Sequence, residues 1–304
     1  MKPLRIGTRK SPLALWQAKE VEKKLNQLNI PTEIIPITSI GDKNLVQPLY
    51  EMNIVGVFTR DLDLALLNNE IDIAVHSLKD VPTILPKGIV LSAVLKRDYE
   101  ADILVRNPKT SSTLRKFDAL NIGTGSLRRR AFWNAKYPNV NFYNLRGNLQ
   151  TRLSKLETEN LDGTIFSLAG IKRLNLNIDY EVLDFIIPAP GQGVVAISSL
   201  ESNKEITNLM DTINHKETQI CTEIERDFLS SLEGGCTAPI AAYAKMENEA
   251  LIFKGGIVSL DGSKKLILEK KVPINKYSDL GKTLGKEAFE QGGNEIIKEF
   301  KTKN

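Results

Sequence analysis

Short apolar runs alternate along this chain with longer stretches in which apolar side chains return every third or fourth position. That pattern predicts strands interleaved with amphipathic helices. Leu4 to Thr8 reads as a strand. Ser11 followed by Pro12 is an N-cap and a first-turn proline, and Ala18, Val21, Leu25 and Leu28 mark the apolar face of the helix that follows. Glu33 to Ser39 is rich in β-formers. Phe58 to Asn68 is helical, with Phe58, Leu62, Ala65 and Leu66 on one side. Ile71 to Val75 reads as a buried-type strand running into His76-Ser77-Leu78-Lys79-Asp80-Val81-Pro82, and Ile89 to Leu95 and Asp102 to Arg106 are further strands.

A second set of units follows. Asn121 to Thr124 is a strand, Ser126 caps a helix through Lys136, Asn141 to Leu145 is a strand, and Asn148 caps a helix to about Asn160. Thr164 to Leu168, Asp184 to Pro188 and Val194 to Ser198 read as strands. The two sets echo each other. Ile6-Gly7-Thr8 leads to a helix carrying Trp16-Gln17-Ala18, and Ile122-Gly123-Thr124 leads to one carrying Trp133-Asn134-Ala135. Both copies fall at a strand-to-helix turn, so the pattern points to two similar α/β lobes facing each other across a cleft. From Glu217 the character changes to a helix up to Leu232, strands near Ile240 to Lys245, Leu251 to Ser259 and Lys265 to Lys271, and a terminal helix. This is the pattern of a small α+β domain.

Composition narrows the classes. A chain of 304 residues can bury a sizeable core and divides into two or three domains. A net charge of +4 is too mild for a general nucleic-acid binder. Two cysteines build no disulfide framework, and no Cys/His cluster has zinc spacing, so no metal is expected. Met1 to Trp16 contains no long apolar stretch and no run is long enough to span a membrane, so neither a signal peptide nor a membrane partner is expected. A reducing cytoplasm fits, and there a free thiol stays available.

The candidate chemistry lies in one cysteine, one aspartate and a set of arginines. Cys236 sits in Glu233-Gly234-Gly235-Cys236-Thr237-Ala238-Pro239-Ile240, just past a helix end, where two glycines free the backbone and Pro239 stiffens the exit. A thiol that carries a group suits such a turn better than core filler does, although a cysteine taken alone is more often structural than functional. Gly123-Thr124-Gly125-Ser126-Leu127-Arg128-Arg129-Arg130 joins a strand to a helix N-terminus, whose free amides and dipole favour an anion. Arg128 and Arg129 add planar forks suited to carboxylate or phosphate. Arg146 and Arg152 flank the next helix start, Arg9 holds the equivalent turn of the first lobe beside Lys10 and Ser11, and Arg173 follows a further strand. A parallel sheet would bring these strand ends together around a ligand with many negative groups. No Walker A sequence or G-x-G-x-x-G follows a strand, so a polycarboxylate fits as well as a phosphate. Any single arginine taken alone reads more readily as a solvated surface residue, and Arg130 in particular faces water on that view; it is their collective placement at strand ends that points to a ligand. Asp80, next to Lys79, could stabilise a cationic intermediate or merely cap a turn. His76 could be a base or a satisfied buried histidine. Cys221 shares a helical face with Ile224 and Phe228 and reads as core.

Together these segments resemble the porphobilinogen deaminase family, the hydroxymethylbilane synthases. The matching stretches are Thr8-Arg9-Lys10-Ser11-Pro12-Leu13-Ala14-Leu15-Trp16-Gln17-Ala18 and Asp72 to Pro82, then Gly123 to Arg129 and Arg146-Gly147-Asn148 through Thr151-Arg152. Pro190-Gly191-Gln192-Gly193 and Leu232 to Ile240 complete the set. They occur in family order across nearly the whole chain.

The resemblance implies an α/β fold with two periplasmic-binding-protein-like lobes around a cleft plus a small C-terminal α+β domain. The expected limits are 1–96 with 196–215, 97–195, and 216–304. It implies a transferase of tetrapyrrole (haem) biosynthesis. Such an enzyme condenses four porphobilinogen units head to tail with loss of ammonia on a covalent dipyrromethane primer, then releases linear hydroxymethylbilane by hydrolysis. Cys236 would hold the dipyrromethane, with Lys79, Asp80, Ser126, Arg128, Arg129 and Arg146 around it. Arg9, Ser11, Arg152 and Arg173 would bind substrate. Asp80 would be catalytic, hydrogen-bonding the pyrrole N–H and stabilising the charge created when ammonia leaves. The family picture is of a cytoplasmic monomer.

Three departures stand out. The segment Met52-Asn53-Ile54-Val55-Gly56-Val57, in the 43–57 loop, lacks a lysine common in the family. Gly125 stands where a serine is frequent, and Val194 where an alanine is usual. Two other classes make different forecasts. A two-lobed carboxylate-binding protein would carry no adduct on Cys236 and show no turnover. A nucleic-acid binder using Arg128 to Arg130 would bind with strong salt dependence.

Overall fold

The computed structural model describes residues 2–39, 56–110, 117, 119–232 and 238–303. Cys236, and all of the 43–57 loop except Gly56 and Val57, lie outside the described residues.

The first lobe begins with β1 (Leu4–Arg9), α1 (Pro12–Gln27) and β2 (Thr32–Ile37), and continues with α2 (Arg60–Leu67), β3 (Ile73–Ser77) and β4 (Ile89–Val94). The second contains β5 (Asp102–Arg106), β6 (Asn121–Gly123), α3 (Leu127–Asn134), β7 (Asn141–Tyr143), α4 (Leu149–Thr158), β8 (Gly163–Ser167), α5 (Leu168–Arg173) and β9 (Glu181–Val182). The chain then returns to the first lobe as β10 (Val195–Leu200) and α6 (Lys204–Asp211). The third unit comprises α7 (Lys216–Ser231), β11 (Ile240–Glu247), β12 (Ala250–Val258), β13 (Lys265–Pro273), α8 (Leu280–Ala288) and α9 (Asn294–Lys303).

The sheet orders β2-β1-β3-β10-β4 and β7-β6-β8-β5-β9 have the same topology. In each, a central strand pairs in parallel with two neighbours, β1 with β2 and β3, and β6 with β7 and β8. In each, a crossing strand then adds antiparallel contacts, β10 to β3 and β4, and β5 to β8 and β9. The sheets are therefore mixed, and only the three-stranded parallel portion of each fulfils the parallel arrangement expected from the sequence. All the arginine-bearing turns follow strands of those portions.

The repeat seen in the sequence has a packing basis. Gly7 and Gly123 occupy equivalent places on the central strands. A methyl group on Gly7 would strike Ile71, and one on Gly123 would strike Leu145 and come within 2.9 Å of Leu161. Each glycine lets a neighbouring apolar side chain cross the strand, in the first lobe under α1 and α2 and in the second beside Leu149, Leu156 and Ile171.

Several elements differ from expectation. Asp184 to Pro188 is a turn, with Ile186 N–H donating to Leu183 O at 3.1 Å, and the only strand pairing nearby is the short β9. Ile186 and Ile187 are apolar because they plug the core beside Trp133, not because they enter a sheet. The helix expected from Phe58 begins at Arg60, and the terminal helix is broken at Phe289–Gly293, where two glycines interrupt it. The short helices α5 and α6 have no counterpart in the sequence reading.

The lobes are joined by two crossings, residues 95–101 and 183–194. One buried side chain of the third unit reaches both crossings. Glu225 on α7 is fully buried and accepts from Arg97 Nη2 at 2.7 Å, Gly191 N–H at 2.8 Å and Ala244 N–H at 2.7 Å. Burial pushes its carboxyl above the ordinary value, against the pull of Arg97 and the two amides. Cys221, one turn earlier on the same helix, is a buried member of the third core, as its spacing predicts, and burial raises its thiol to about 11.

Candidate functional site

A cleft of about 590 Å³ lies where the C-terminal ends of the parallel strands of both lobes meet, with the third unit closing one side. Its walls are strand-to-helix turns. Arg9 ends β1 and Ser11 follows, capping α1 by accepting from Ala14 N–H at 3.3 Å. After β3 comes a single 3₁₀ turn, Leu78–Asp80. After β6, Ser126 caps α3 and accepts from Arg129 N–H at 3.4 Å. After β7 stands Arg146, and Asn148 caps α4 through Thr151 N–H at 2.9 Å. Arg152 follows on α4. Each turn ends a strand and opens a helix, so amides and cations point into the same space. Every described candidate residue, namely Arg9, Ser11, Lys79, Asp80, Ser126, Arg128, Arg129, Arg146, Arg152 and Arg173, lines this cleft.

The arginines are not equivalent. Arg128 and Arg129 share the buried carboxylate of Asp102. Arg128 Nη2 lies 2.7 Å from one oxygen, and Arg129 donates to the other from Nε at 3.0 Å and Nη2 at 2.8 Å. Arg128 also donates to Ile187 O at 2.5 Å and Arg129 to Ile165 O at 3.0 Å. Burial drives the Asp102 carboxyl up, but the two guanidiniums, aided by Lys79, outweigh it and bring it down to about 2. Arg173 gives Nε and Nη2 to Asp98, both at 2.9 Å, and donates to Gly193 O at 2.8 Å, so its fork faces the crossing between lobes.

Arg9 stacks on Phe58 with 4.1 Å to the ring centre. Arg152 lies over Phe166 at 4.9 Å, and its Nε is buried with no hydrogen-bond partner among the described residues. Burial first, then the charges of Arg129 and Arg146 against the pull of Asp80, lower Arg152 to about 10. Lys79 reaches Gln192 Oε1 at 3.4 Å, and burial and Arg129 lower it to about 8. Asp80 supplies a carboxylate among these cations.

His76 is buried, its Nε2 3.0 Å from Ser198 Oγ, and burial with nearby Arg9 lowers it to about 4. That is the satisfied buried histidine, neutral at pH 7. Arg130 donates to Thr124 O at 2.7 Å and joins the β6 turn to its neighbour.

Several contributors were not picked out as site residues by the sequence. Asp102, Asp98, Gln192 and Arg226 all bear on the cleft through partners far along the chain. Gln192 is fully buried and donates to Glu100 O at 2.5 Å and Asp102 Oδ1 at 3.1 Å while accepting from Lys79. Its place between Gly191 and Gly193 was visible, but not its partners. Asp102 heading the apolar run Ile103-Leu104-Val105 was a further hint, because a charge that enters a buried strand needs a cation.

The donor set fits a group carrying several carboxylates. Lys79 and Arg152 are depressed by burial and by other cations, and the buried Nε–H of Arg152 finds no acceptor among the described residues. Cys236 lies outside the described residues, but Ala238, two residues later, lines the cleft.

The family model described as porphobilinogen deaminase, dipyromethane cofactor binding domain, matches residues 4–208, and that for the porphobilinogen deaminase C-terminal domain matches residues 219–290. Among similar proteins, porphobilinogen deaminase of Desulforamulus reducens is 40% identical over 305 residues, covering 97% of each chain. Probable porphobilinogen deaminase of Methanocaldococcus jannaschii is 42% identical over 290 residues, covering 93% of this chain and 98% of its own. Among solved structures, an arginine transport periplasmic binding protein from Legionella pneumophila aligns with 70% of this chain and 92% of its own, at 15% identity and a TM-score of 0.41, a likeness too loose to bear on the argument.

Proposed function

The chain belongs to the porphobilinogen deaminase family, and from that premise we propose that it is a hydroxymethylbilane synthase working through the cleft around Asp80. The substrate is porphobilinogen. Four units are joined head to tail, each losing ammonia, and water releases the linear product. The observation that supports this most directly is the buried Arg152 Nε–H, which finds no acceptor among the described residues, in a cleft whose cations gather around Asp80. Each pyrrole of substrate and product carries an acetate and a propionate, so the growing chain is the polyanion such a cleft requires.

The residues divide the work. Arg9, Arg146, Arg152, Lys79 and Ser11 bind carboxylates of the substrate or of the bound chain. Arg128 and Arg129 keep N–H groups beyond those given to Asp102 and the backbone, and with Ser126 they hold the innermost pyrroles. Arg173, committed to Asp98, acts at the cleft margin by setting the crossing. A dipyrromethane attached through Cys236 fits the donor set, and when bound it supplies the nucleophilic pyrrole carbon on which the chain grows. Asp80 accepts the N–H of the reacting pyrrole and stabilises the positive charge that builds as the carbon–nitrogen bond to ammonia breaks. A preorganised carboxylate in a cleft of this kind lowers the barrier by on the order of 3 kcal/mol or more.

The three domains of this reading comprise 1–96 with 196–215, 97–195, and 216–304. The protein acts as a monomer in the cytoplasm, without nucleic acid. No helix among the described residues is long and apolar enough to cross a membrane. The test is turnover. Purified protein given porphobilinogen should release one ammonia per unit consumed and yield a linear tetrapyrrole, while Asp80→Ala folds and is nearly inactive. A folded wild type that binds porphobilinogen without consuming it would favour a carboxylate-binding protein.

A further inference from the structure

Arg226 belongs to α7 of the third unit, yet its fork closes on first-lobe backbone. Nη1 donates to Val81 O at 2.8 Å and Nη2 donates to Pro82 O at 2.6 Å. These are the two carbonyls that follow Asp80. The other end of the same turn is pinned separately. Leu78 N–H donates to Val194 O at 2.9 Å, and the fully buried Leu78 side chain packs so closely on Gly191, whose φ is +72°, that a methyl group there would lie 2.7 Å from Leu78 Cγ. Asp80 therefore sits between two clamps, one from the crossing at 183–194 and one from α7. Glu225, the residue before Arg226, fixes α7 to both crossings, so the second clamp hangs from a rigid support. A planar fork on two successive carbonyls sets the orientation of the turn as well as its position, which a single ammonium cannot do.

We propose that Arg226 is a positioning residue for the reacting carboxylate. It holds the segment after Asp80 so that the carboxylate meets the pyrrole at the required angle. It also ties that segment to α7, whose own position is fixed by Glu225. This rests on the function proposed above.

The experiment compares Arg226→Gln, Arg226→Lys, Asp80→Asn and the double variant Asp80→Asn/Arg226→Gln, each as purified holoenzyme. The covalent adduct is checked by intact mass and the folded fraction by thermal unfolding. Arg226→Gln should keep the adduct and a KM within about twofold of wild type while kcat falls roughly tenfold to a hundredfold, the scale of an ångström-sized misplacement. Arg226→Lys should recover only part of that loss. In single turnovers on the Asp80→Asn background, the same change should cost no more than about twofold, because residues that act as a unit are not additive. A raised KM with kcat preserved would mean direct contact with substrate and would overturn the proposal. So would equal losses in both backgrounds, or a loss that merely follows the folded fraction. An Asp80→Asn holoenzyme with normal turnover would instead sink the functional reading itself, whatever Arg226 does.

Discussion

Asp102 and Arg128 meet at 2.7 Å with both side chains almost wholly out of solvent, and the other Asp102 oxygen serves Arg129. One carboxylate thus sets the position of two cleft arginines and cancels half their charge. Asp102→Asn leaves two buried guanidiniums without their anion and should cost about 3 kcal/mol of stability, read as a lower urea midpoint. The sign of the pH effect follows. The folded-state value, about 2, lies below the ordinary 3.8, so this stabilisation is fully present above about pH 4 and is lost as pH falls toward 2. Wild type should show that acid limb and Asp102→Asn should lack it.

Lys79 carries the opposite dependence. It grips a carboxylate only as an ammonium, and burial with Arg129 has lowered it to about 8. KM for porphobilinogen should therefore rise as the pH climbs past about 8. In Lys79→Arg, charged throughout, that rise should vanish. An identical alkaline profile in both proteins would show that Lys79 does not bind substrate.

Arg152 has a buried Nε–H with no acceptor among the described residues, and a ring beneath its guanidinium. Lysine keeps the charge but loses the fork and the stacking. Arg152→Lys should lower kcat/KM about tenfold or more, the scale of one charge-assisted hydrogen bond. Steady-state kinetics with porphobilinogen checks this.

Gly123 tests the packing behind the site. A methyl group there collides with Leu145 and Leu161 at the base of the turn that carries Arg146. Gly123→Ala should destabilise by about 1–3 kcal/mol through overpacking, measured by urea unfolding.

The strand-to-helix turns were legible because they are local. Ser11, Ser126 and Asn148 announce their caps within three residues, and all three accept the expected amide. The kinship of the lobes was legible from Ile6-Gly7-Thr8 and Ile122-Gly123-Thr124 because a glycine under crossing side chains leaves a mark in the sequence. What decides how each cation is used was not legible. Asp102 finds Arg129 across 27 residues, Asp98 finds Arg173 across 75, and Arg226 finds Val81 across 145. Such partners are fixed by the way the chain crosses twice between lobes, which no periodicity records. Asp184 to Pro188 was misread for a related reason, since a short apolar run looks the same whether it joins a sheet or plugs a core.

The central claim is a primer held by Cys236 in a cleft built for polycarboxylates. Intact mass of the unfolded protein after incubation with porphobilinogen tests it most directly, with Cys236→Ser beside wild type. The account predicts a wild-type chain heavier by two porphobilinogens less two ammonias, and an unmodified variant. A wild type that remains unmodified after porphobilinogen, or the same adduct on Cys236→Ser, would contradict it.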